Sequence, residues 1–233
     1  MSKITKQPTI KVLKVNDEVI VFNLAGTTVA EANRVRQRII DDIPTMCIEF
    51  VKIKRNNASA LVDEFLVHRL GMIPLRSNKI DTFFRSDVCP CTDYCDECYV
   101  ELKLDVSSTT RQKNIFSKDL VSNNKNIVPI VGNILITKLD LDERIELTCY
   151  AAKGTGKDHT AHSAVSTVGF EYISEKDTPK GLLWSNTTGK DETFIPKKIP
   201  PKEIKFTLNL IGNVKPDLMM RYVVEFVKDA TSV

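Results

Sequence analysis

The chain of 233 residues contains 42% hydrophobic and 27% charged residues, a balance typical of soluble globular proteins, and its length suits one large domain or two modest ones. A formal net charge of +3 falls short of the basic footprint of a nucleic-acid-binding domain. The longest apolar stretches reach about half of the 18 residues that a membrane span needs, and no apolar core follows the N-terminal lysines. We therefore expect a soluble intracellular protein without a signal peptide.

The first predicted elements are a β-hairpin and a helix. β-branched runs at 8–15 and 19–24 enclose a turn-forming Asn-Asp pair, a pattern that predicts two antiparallel strands. Thr28 is a favourable N-cap, and Glu31 three residues later completes a capping box, so a helix is expected to begin here. It should end before Pro44, because the residue that precedes a proline disfavours helical geometry.

A strand and a second helix follow in the predicted order. Residues 46–53 alternate between apolar and polar side chains, as half-buried strands do. A helix is predicted over 60–70, with Ser59 as its N-cap and Gly71 as a left-handed stop. The apolar residues of this helix are Leu61, Phe65, Leu66 and Leu70.

The rest of the chain is predicted to form strands and one more helix. Apolar and polar runs predict strands over 99–106, 134–141, 144–152, 168–173 and 203–211. Residues 174–201 are polar and proline-rich, so a surface loop is expected there. The final helix should start near Pro216, since proline is tolerated at the first helical position. Runs of strands with separate helices indicate an α+β fold.

Two of the predicted helices carry strongly apolar stripes. The stripes comprise Val29, Ala32, Val35 and Ile39 on the first helix and Met219, Tyr222, Val223, Phe226 and Val227 on the last. Their spacing places each stripe on one helix face. Such faces must pack on each other or on a partner protein, and the alternative to an interface is a pair of helices that covers a sheet of the same chain.

Four of the six cysteines lie within ten residues of one another. Cys89, Cys91, Cys95 and Cys98 have the spacing Cys-x-Cys-x3-Cys-x2-Cys, whereas Cys47 and Cys149 stand alone. Four thiolates at about 2.3 Å suit a tetrahedral zinc ion, and four protein ligands leave no open position, so we expect one structural zinc. Two disulfides, four unrelated thiols and an iron–sulfur cluster are the alternatives.

No other motif assembles an active site. The run at 154–157 is similar to a phosphate loop, but Asp158 stands where such a loop needs serine or threonine. His159 and His162 are interpreted as a loop or surface pair, and His68 as a packed histidine of the second helix. Since no Ser/His/Asp or Cys/His constellation is visible, we expect no catalytic residue.

One segment resembles the signature of a known family. Residues 57–75 resemble the signature of α-like subunits of cellular RNA polymerases, in its eukaryotic and archaeal form. The matching positions include Asp63, Glu64, His68, Arg69, Gly71 and Pro74. The spacing of the four cysteines is similar to the zinc loop of the third-largest subunit of RNA polymerase II, and the similarity extends over residues 5–173 or so.

The resemblance implies a fold in two parts. Residues 1–42 and 165–233 would form a discontinuous dimerisation domain with helices on a small antiparallel sheet. Residues 43–164 would form an inserted, mostly β domain that carries a zinc loop at 87–98. The two apolar stripes would then form a heterodimer interface, and the signature residues would make assembly contacts.

The function that the resemblance implies is that of a non-catalytic scaffold in the nucleus. The chain would pair with a smaller α-like subunit, and the heterodimer would nucleate the largest and second-largest polymerase subunits, together with small subunits of the assembly platform, for mRNA synthesis. No direct DNA contact and no membrane contact are expected. The alternative functions are an archaeal-type polymerase subunit with an iron–sulfur cluster and a zinc-dependent nucleic-acid-binding module.

Overall fold

The computed structural model describes residues 8–91, 94–173 and 203–231 and shows an α+β protein. The loop predicted at 174–201 lies outside these residues. The described part contains three α-helices, which are α1 (Val29–Asp41), α2 (Asp63–Gly71) and α3 (Pro216–Thr231). None of these helices is long and apolar enough to cross a membrane.

The strands of the described part pair in antiparallel fashion. In chain order they are β1 (Thr9–Val15), β2 (Val19–Ala25), β3 (Pro44–Asn56), β4 (Tyr99–Ser107), β5 (Lys113–Phe116), β6 (Val121–Ser122), β7 (Leu135–Leu139), β8 (Arg144–Thr155), β9 (Val165–Tyr172) and β10 (Glu203–Leu210). All of them except β5 and β6 confirm predicted strands. These two contain four and two residues, which is too short for a periodic pattern to identify them.

The terminal sheet brings the two ends of the described chain together in the order β1-β2-β10-β9. Alternate residues of β2 and β10 point to one buried face, where the Phe22 and Phe206 rings stack with their centroids 5.0 Å apart. Helices α1 and α3 contact each other and share one hydrophobic cluster with this face.

The start of α1 follows the predicted capping box. The Glu31 backbone N–H donates to Thr28 Oγ1 at 3.2 Å, and the Thr28 N–H donates to Glu31 Oε2 at 2.7 Å. These bonds satisfy donors that the first helical turn cannot pair internally. The helix then buries the side chains of Ala32, Val35 and Ile39.

The central sheet has the strand order β3-β8-β4-β6, and β5 pairs with β7 in a separate two-stranded ribbon. Strictly alternating residues of β4, such as Val100, Leu102 and Leu104, are buried on one face. They belong to a second hydrophobic cluster, which also contains Leu66 and Leu70 of α2. The described chain therefore has two separate hydrophobic clusters.

Helix α2 differs from its prediction at both ends. It begins at Asp63, and the backbone N–H of Ser59 donates to Glu143 Oε1 at 2.9 Å, so Ser59 is not its N-cap. Gly71 is the last helical residue, and the described glycines with positive φ are Gly26 and Gly212, so the predicted left-handed stop is wrong. Phe65 is predicted to lie with the apolar residues of this helix. It is 66% exposed, because Leu66 and Leu70 form the buried face.

Candidate metal centre and surrounding surfaces

The four clustered cysteines converge at one point beside the central sheet. Their Sγ atoms all lie within 4.8 Å of one another. The Cys95 and Cys98 sulfurs are 3.3 Å apart, and the Cys89–Cys95 and Cys91–Cys98 pairs are each 3.6 Å apart. A tetrahedron with metal–sulfur bonds of about 2.3 Å has edges of about 3.8 Å. The arrangement therefore fits one four-coordinate metal ion.

Tight backbone turns bring the sulfurs together. The N–H groups of Cys98 and Tyr99 both donate to the Cys95 carbonyl, at 3.1 and 2.9 Å, and the Cys89 N–H donates to the Arg85 carbonyl at 3.1 Å. Because β4 starts at Tyr99, directly after the last cysteine, the sheet anchors one end of the loop. Cys98 is consequently buried, whereas Cys91 is exposed.

The sulfur distances also discriminate between the alternatives for this cluster. A disulfide requires an S–S distance of about 2.05 Å, and all six cysteines are free thiols in the structure. An iron–sulfur cluster must fit several irons and sulfides between its cysteines, which would hold the thiolates farther apart. The contacts near 3.5 Å between neighbouring sulfurs favour a single ion.

The four thiols differ in acidity. A hydrogen bond from the Cys98 thiol is the main reason why the pKa of Cys95 is lowered to about 7. The hydrogen bond with Cys89 is the main cause that raises the pKa of Cys91 to about 12, and burial raises the pKa of Cys98. A coordinated cation deprotonates each thiol outright, so all four could serve as thiolate ligands.

Arg85 connects the cysteine loop to the turn that follows β8. Its guanidinium donates to Asp158 from two nitrogens, at 2.9 and 3.3 Å, and its Nε donates to Asp87 at 3.1 Å. Asp158 also accepts from the N–H and the hydroxyl of Thr155, both at 2.9 Å. These hydrogen bonds hold the pKa of Asp158 well below its ordinary value. The turn and the loop are thereby fixed relative to each other.

Cys47 and His162 form a buried pair that the sequence does not predict. His162 Nε2 lies 3.1 Å from Cys47 Sγ, and the two side chains are 5% and 4% exposed. His162 is therefore not a surface residue, in contrast to the prediction, whereas His159 is exposed. Burial raises the pKa of Cys47 to about 12 and lowers the pKa of His162. A thiolate nucleophile is consequently disfavoured, and the pair lacks the activation that covalent catalysis needs.

None of the six signature residues is buried, but two of them hydrogen-bond to backbone groups of neighbouring segments. Arg69 donates from its guanidinium to the carbonyls of Leu135 and Ile136, and the Pro74 carbonyl accepts from the Ile130 N–H at 3.1 Å. Asp63, Glu64 and His68 are exposed, so the prediction of a packed His68 is wrong. Gly71 lies against the Ile48 carbonyl, which a Cβ atom would approach to 3.4 Å.

The predicted heterodimer stripe lies mostly inside the chain's own core. Seven of its nine side chains are buried against the terminal sheet: Ala32, Val35, Ile39, Met219, Val223, Phe226 and Val227. Val29 and Tyr222 keep partial exposure. These seven residues therefore follow the alternative in which the two helices cover a sheet of the same chain. Helices α1 and α3 use them to cover β2 and β10.

Comparisons with known proteins agree on one family. The family described as the RNA polymerase Rpb3/RpoA insert domain matches residues 51–173. DNA-directed RNA polymerase II subunit rpb3 of Dictyostelium discoideum is 39% identical over 185 residues, which cover 74% of this chain and 61% of that protein. Subunit RPB3 of Schizosaccharomyces pombe is 38% identical over 178 residues, which cover 70% and 59%.

This chain covers a larger share of an archaeal relative than of the two eukaryotic ones. DNA-directed RNA polymerase subunit Rpo3 of Picrophilus torridus is 32% identical over 212 residues, which cover 84% of this chain and 76% of that protein. The two eukaryotic relatives are longer, and this chain spans only 61% and 59% of their lengths.

Proposed function

The chain belongs to the Rpb3/RpoA family of RNA polymerase subunits, and from that premise we propose that it is a non-catalytic assembly subunit of RNA polymerase II. It pairs with a smaller α-like subunit, and the pair nucleates the two large catalytic subunits in the nucleus. The observation that carries this proposal is the coincidence, in one chain, of the family match at 51–173 and four cysteines at the spacing of a single metal ion.

The metal that we propose is one structural zinc, bound by Cys89, Cys91, Cys95 and Cys98. Four sulfurs at near-tetrahedral spacing support zinc over an iron–sulfur cluster. Zinc with four protein ligands has no open position, so its role is to hold the loop closed. A single zinc ion at these cysteines distinguishes the proposal from the archaeal-type alternative, in which they would hold an iron–sulfur cluster.

We infer that the chain has two structural units, with residues 1–42 and 165–233 in the dimerisation domain and 43–164 inserted between them. The two separate hydrophobic clusters support this division, since one contains α1, α3 and the terminal sheet and the other contains α2 and the central sheet. Strands β2 and β10 pair directly although the inserted residues lie between them in sequence.

The partner surface that we infer is the outer side of α1 and α3. Val29 and Tyr222 are partly exposed there, and so are Met220 and Val224. Around Met220 and Val224, the outer side of α3 carries the charged side chains of Asp217, Arg221, Glu225 and Lys228. A narrow apolar ridge with charged borders is a suitable face for another helix. The buried stripe residues would support this ridge from below.

The large polymerase subunits are proposed to meet the exposed side of α2. Phe65 and Met72 are 66% and 50% exposed there, and the carboxylates of Asp63 and Glu64 lie on the same short helix. An exposed apolar pair bordered by charge is typical of a protein interface. Hydrogen bonds of Arg69 and Pro74 hold this helix and the residues after it against β7 and the segment that precedes β7.

Purification of the tagged full-length chain from its source cells tests the proposed function. We expect the smaller α-like subunit and both large polymerase subunits to co-purify in equal amounts, as measured by quantitative mass spectrometry. The chain purified alone should neither polymerise nor hydrolyse nucleotides. If no polymerase subunit co-purifies with the chain, the scaffold function is contradicted. Magnesium-dependent turnover of nucleotides by the chain alone would contradict it as well. Tight, salt-dependent DNA binding by the chain alone would favour the nucleic-acid-binding module instead.

A further inference from the structure

Four aromatic side chains form a continuous patch on the outer face of the central sheet. Phe50 of β3, Tyr150 of β8 and Tyr99 of β4 lie side by side, and Tyr94 of the cysteine loop covers them. Their ring centroids are separated by 4.5 to 6.5 Å. Phe50 and Tyr94 are 46% and 50% exposed. The opposite face of these strands forms the core, so packing of this chain does not require aromatic residues here.

The patch depends on the closed cysteine loop. Tyr94 stands between Cys91 and Cys95, and its ring stacks on Tyr150 at 4.5 Å with an interplanar angle of 20°. Its ring also meets the Tyr99 ring edge-on at 4.9 Å. A loop held by a metal ion would therefore fix the outermost ring of the patch. Metal binding and patch formation are structurally linked.

The charge at the edge of the patch is negative. Glu49 lies at a bulge of β3 next to Phe50, and within the described residues no hydrogen bond or ion pair is formed by its carboxylate. Arg85 is close to it but already pairs with Asp87 and Asp158, at 3.1 and 2.9 Å. The Arg85 guanidinium thus pairs with the two aspartates and not with the Glu49 carboxylate. Partial burial and the two neighbouring aspartates raise the pKa of Glu49.

On the other side of the patch two of the three lysines are paired, whereas Lys52, two residues after Phe50 on β3, is exposed and forms no ion pair with the described residues. Lys103 pairs with Glu101 at 3.5 Å, and Glu101 lies opposite Tyr150 in the sheet. Lys54 pairs with Glu146 farther along the same strands. A nucleic acid needs cations along its backbone in addition to stacking rings, and here its phosphates would have to compete with these carboxylates. The edge of the patch at Glu49, where three carboxylates surround one guanidinium, therefore favours a cationic ligand.

We propose that the aromatic patch binds a polypeptide segment of another polymerase subunit and that a lysine or arginine of this segment lies between the Glu49 carboxylate and the tyrosine rings. A cation over an aromatic face is attracted to its electron density, and tyrosine-rich patches are typical energetic centres of protein interfaces. The proposal rests on the proposed function, because that function places the chain in a polymerase complex with the partner subunit. It adds a second docking surface, which lies on the outer face of the central sheet, whereas the hydrophobic core lies on the other face.

Photocrosslinking in the purified polymerase complex tests this surface. Phe50 is replaced with benzoylphenylalanine, which retains an aromatic ring, and Leu141, which is 50% exposed at the turn between β7 and β8, is replaced in the same way as a control. We expect the probe at position 50 to crosslink to one polypeptide next to a lysine or arginine of that polypeptide. Glu49→Gln should lower the crosslinking yield about two- to fivefold, the equivalent of one cation–π or ion-pair contact. Tyr94→Ala should also lower it.

Several outcomes would overturn the proposal. These are a crosslink to nucleic acid, a crosslink to a segment without basic residues, a yield equal to that of the Leu141 control, and a yield unaffected by Glu49→Gln. Failure of this surface is distinguishable from failure of the proposed function. In the first case the polymerase subunits still co-purify with the chain, and in the second they do not.

Discussion

The side chain of His162 lies where three segments of the chain meet. Its Nδ1 is 3.2 Å from the Thr45 carbonyl, and the Thr45 hydroxyl donates back to the His162 carbonyl at 2.7 Å. With Nδ1 protonated, Nε2 is free to accept from the Cys47 thiol at 3.1 Å. Every polar atom of the ring is thus satisfied in the neutral form. A second ring proton would leave a buried charge and a lost acceptor.

Lowering the pH should destabilise the chain through His162. Burial lowers the pKa of His162 from 6.5, so the unfolded chain takes up this proton at a higher pH than the folded chain. The unfolding free energy should fall as the pH drops below 6.5 towards the folded-state pKa, by at most about 1.4 kcal/mol per pH unit. Urea unfolding between about pH 8 and pH 5 measures this. The same decline in His162→Gln would show that other groups cause it.

Replacing Cys95 with serine should abolish metal binding. A hydroxyl is a poor replacement for the thiolate that completes the tetrahedron, and structural zinc binding is coupled to folding. Elemental analysis should give one zinc for the unmodified chain and almost none for Cys95→Ser. Cys149→Ala is the matched control, because Cys149 is a buried thiol outside the cluster. Undiminished zinc in Cys95→Ser would refute the ligand assignment.

At the scale of elements, the sequence predicts structure best where one local pattern is sufficient. The capping box of Thr28 and Glu31 and the alternation in β4 depend on neighbouring residues, and both are confirmed. The four cysteines converge because their spacing in the sequence is itself short. The Cys47–His162 pair, in contrast, joins residues 115 positions apart, and no local pattern encodes it.

The errors in α2 have a similar physical origin. Ser59 has the chemistry of an N-cap, but its N–H bonds to Glu143, a residue 84 positions away. Phe65 fits an apolar helical pattern, yet it faces solvent because β3 and β7 contact the other side of the helix. Tertiary contacts therefore override local preference. Tyr150 differs from Phe65, because the alternation of Ile145, Leu147 and Cys149 along β8 already places Tyr150 on the opposite, outer face.

Strand β8 approaches the turn after it so closely that one position requires glycine. A Cβ atom at Gly154 would lie 2.5 Å from His162 Nε2. Gly154→Ala should therefore lower the unfolding free energy by about 1–3 kcal/mol, because the ring cannot move without losing its hydrogen bonds. Gly169→Ala in β9 is the matched control, since no atom lies within 4 Å of its Cβ position. Equal stability of the two variants, measured by urea unfolding, would show that the His162 ring can move aside.

At the scale of the whole molecule, one turn links the two hydrophobic clusters. Residues after β8 contact the end of α1, where the Lys157 N–H donates to the Asp41 carbonyl at 3.0 Å. A Cβ atom at Gly156 would approach the Ile40 carbonyl to 2.2 Å. Because Asp158 of the same turn pairs with Arg85, the cysteine loop and α1 contact one rigid segment. A disturbance of the cysteine loop is therefore transmitted through this segment to the end of α1.

Phe226 is buried beneath the proposed partner face, so a substitution there affects folding before it affects binding. Its ring is 3% exposed, and the Arg38 guanidinium lies 4.2 Å from its centroid. Phe226→Ala should cost about 3–5 kcal/mol of stability, and Phe226→Asp would add a buried charge. Loss of heterodimer in either variant would reflect unfolding of the terminal sheet and its helices. A residue on the outer side of α3 is required instead.

Val224→Asp should separate binding from folding. Val224 is partly exposed on the outer side of α3, so its replacement should change the unfolding free energy by roughly 1 kcal/mol or less. A charge in the centre of the proposed ridge should weaken binding of the purified smaller α-like subunit about thirtyfold or more, as measured by calorimetry. Val121→Asp is the matched control, because Val121 is 69% exposed on β6, in the part of the chain proposed as the inserted domain. Unchanged affinity in Val224→Asp, with the fold intact, would mean that the partner binds elsewhere and that α3 only covers the terminal sheet.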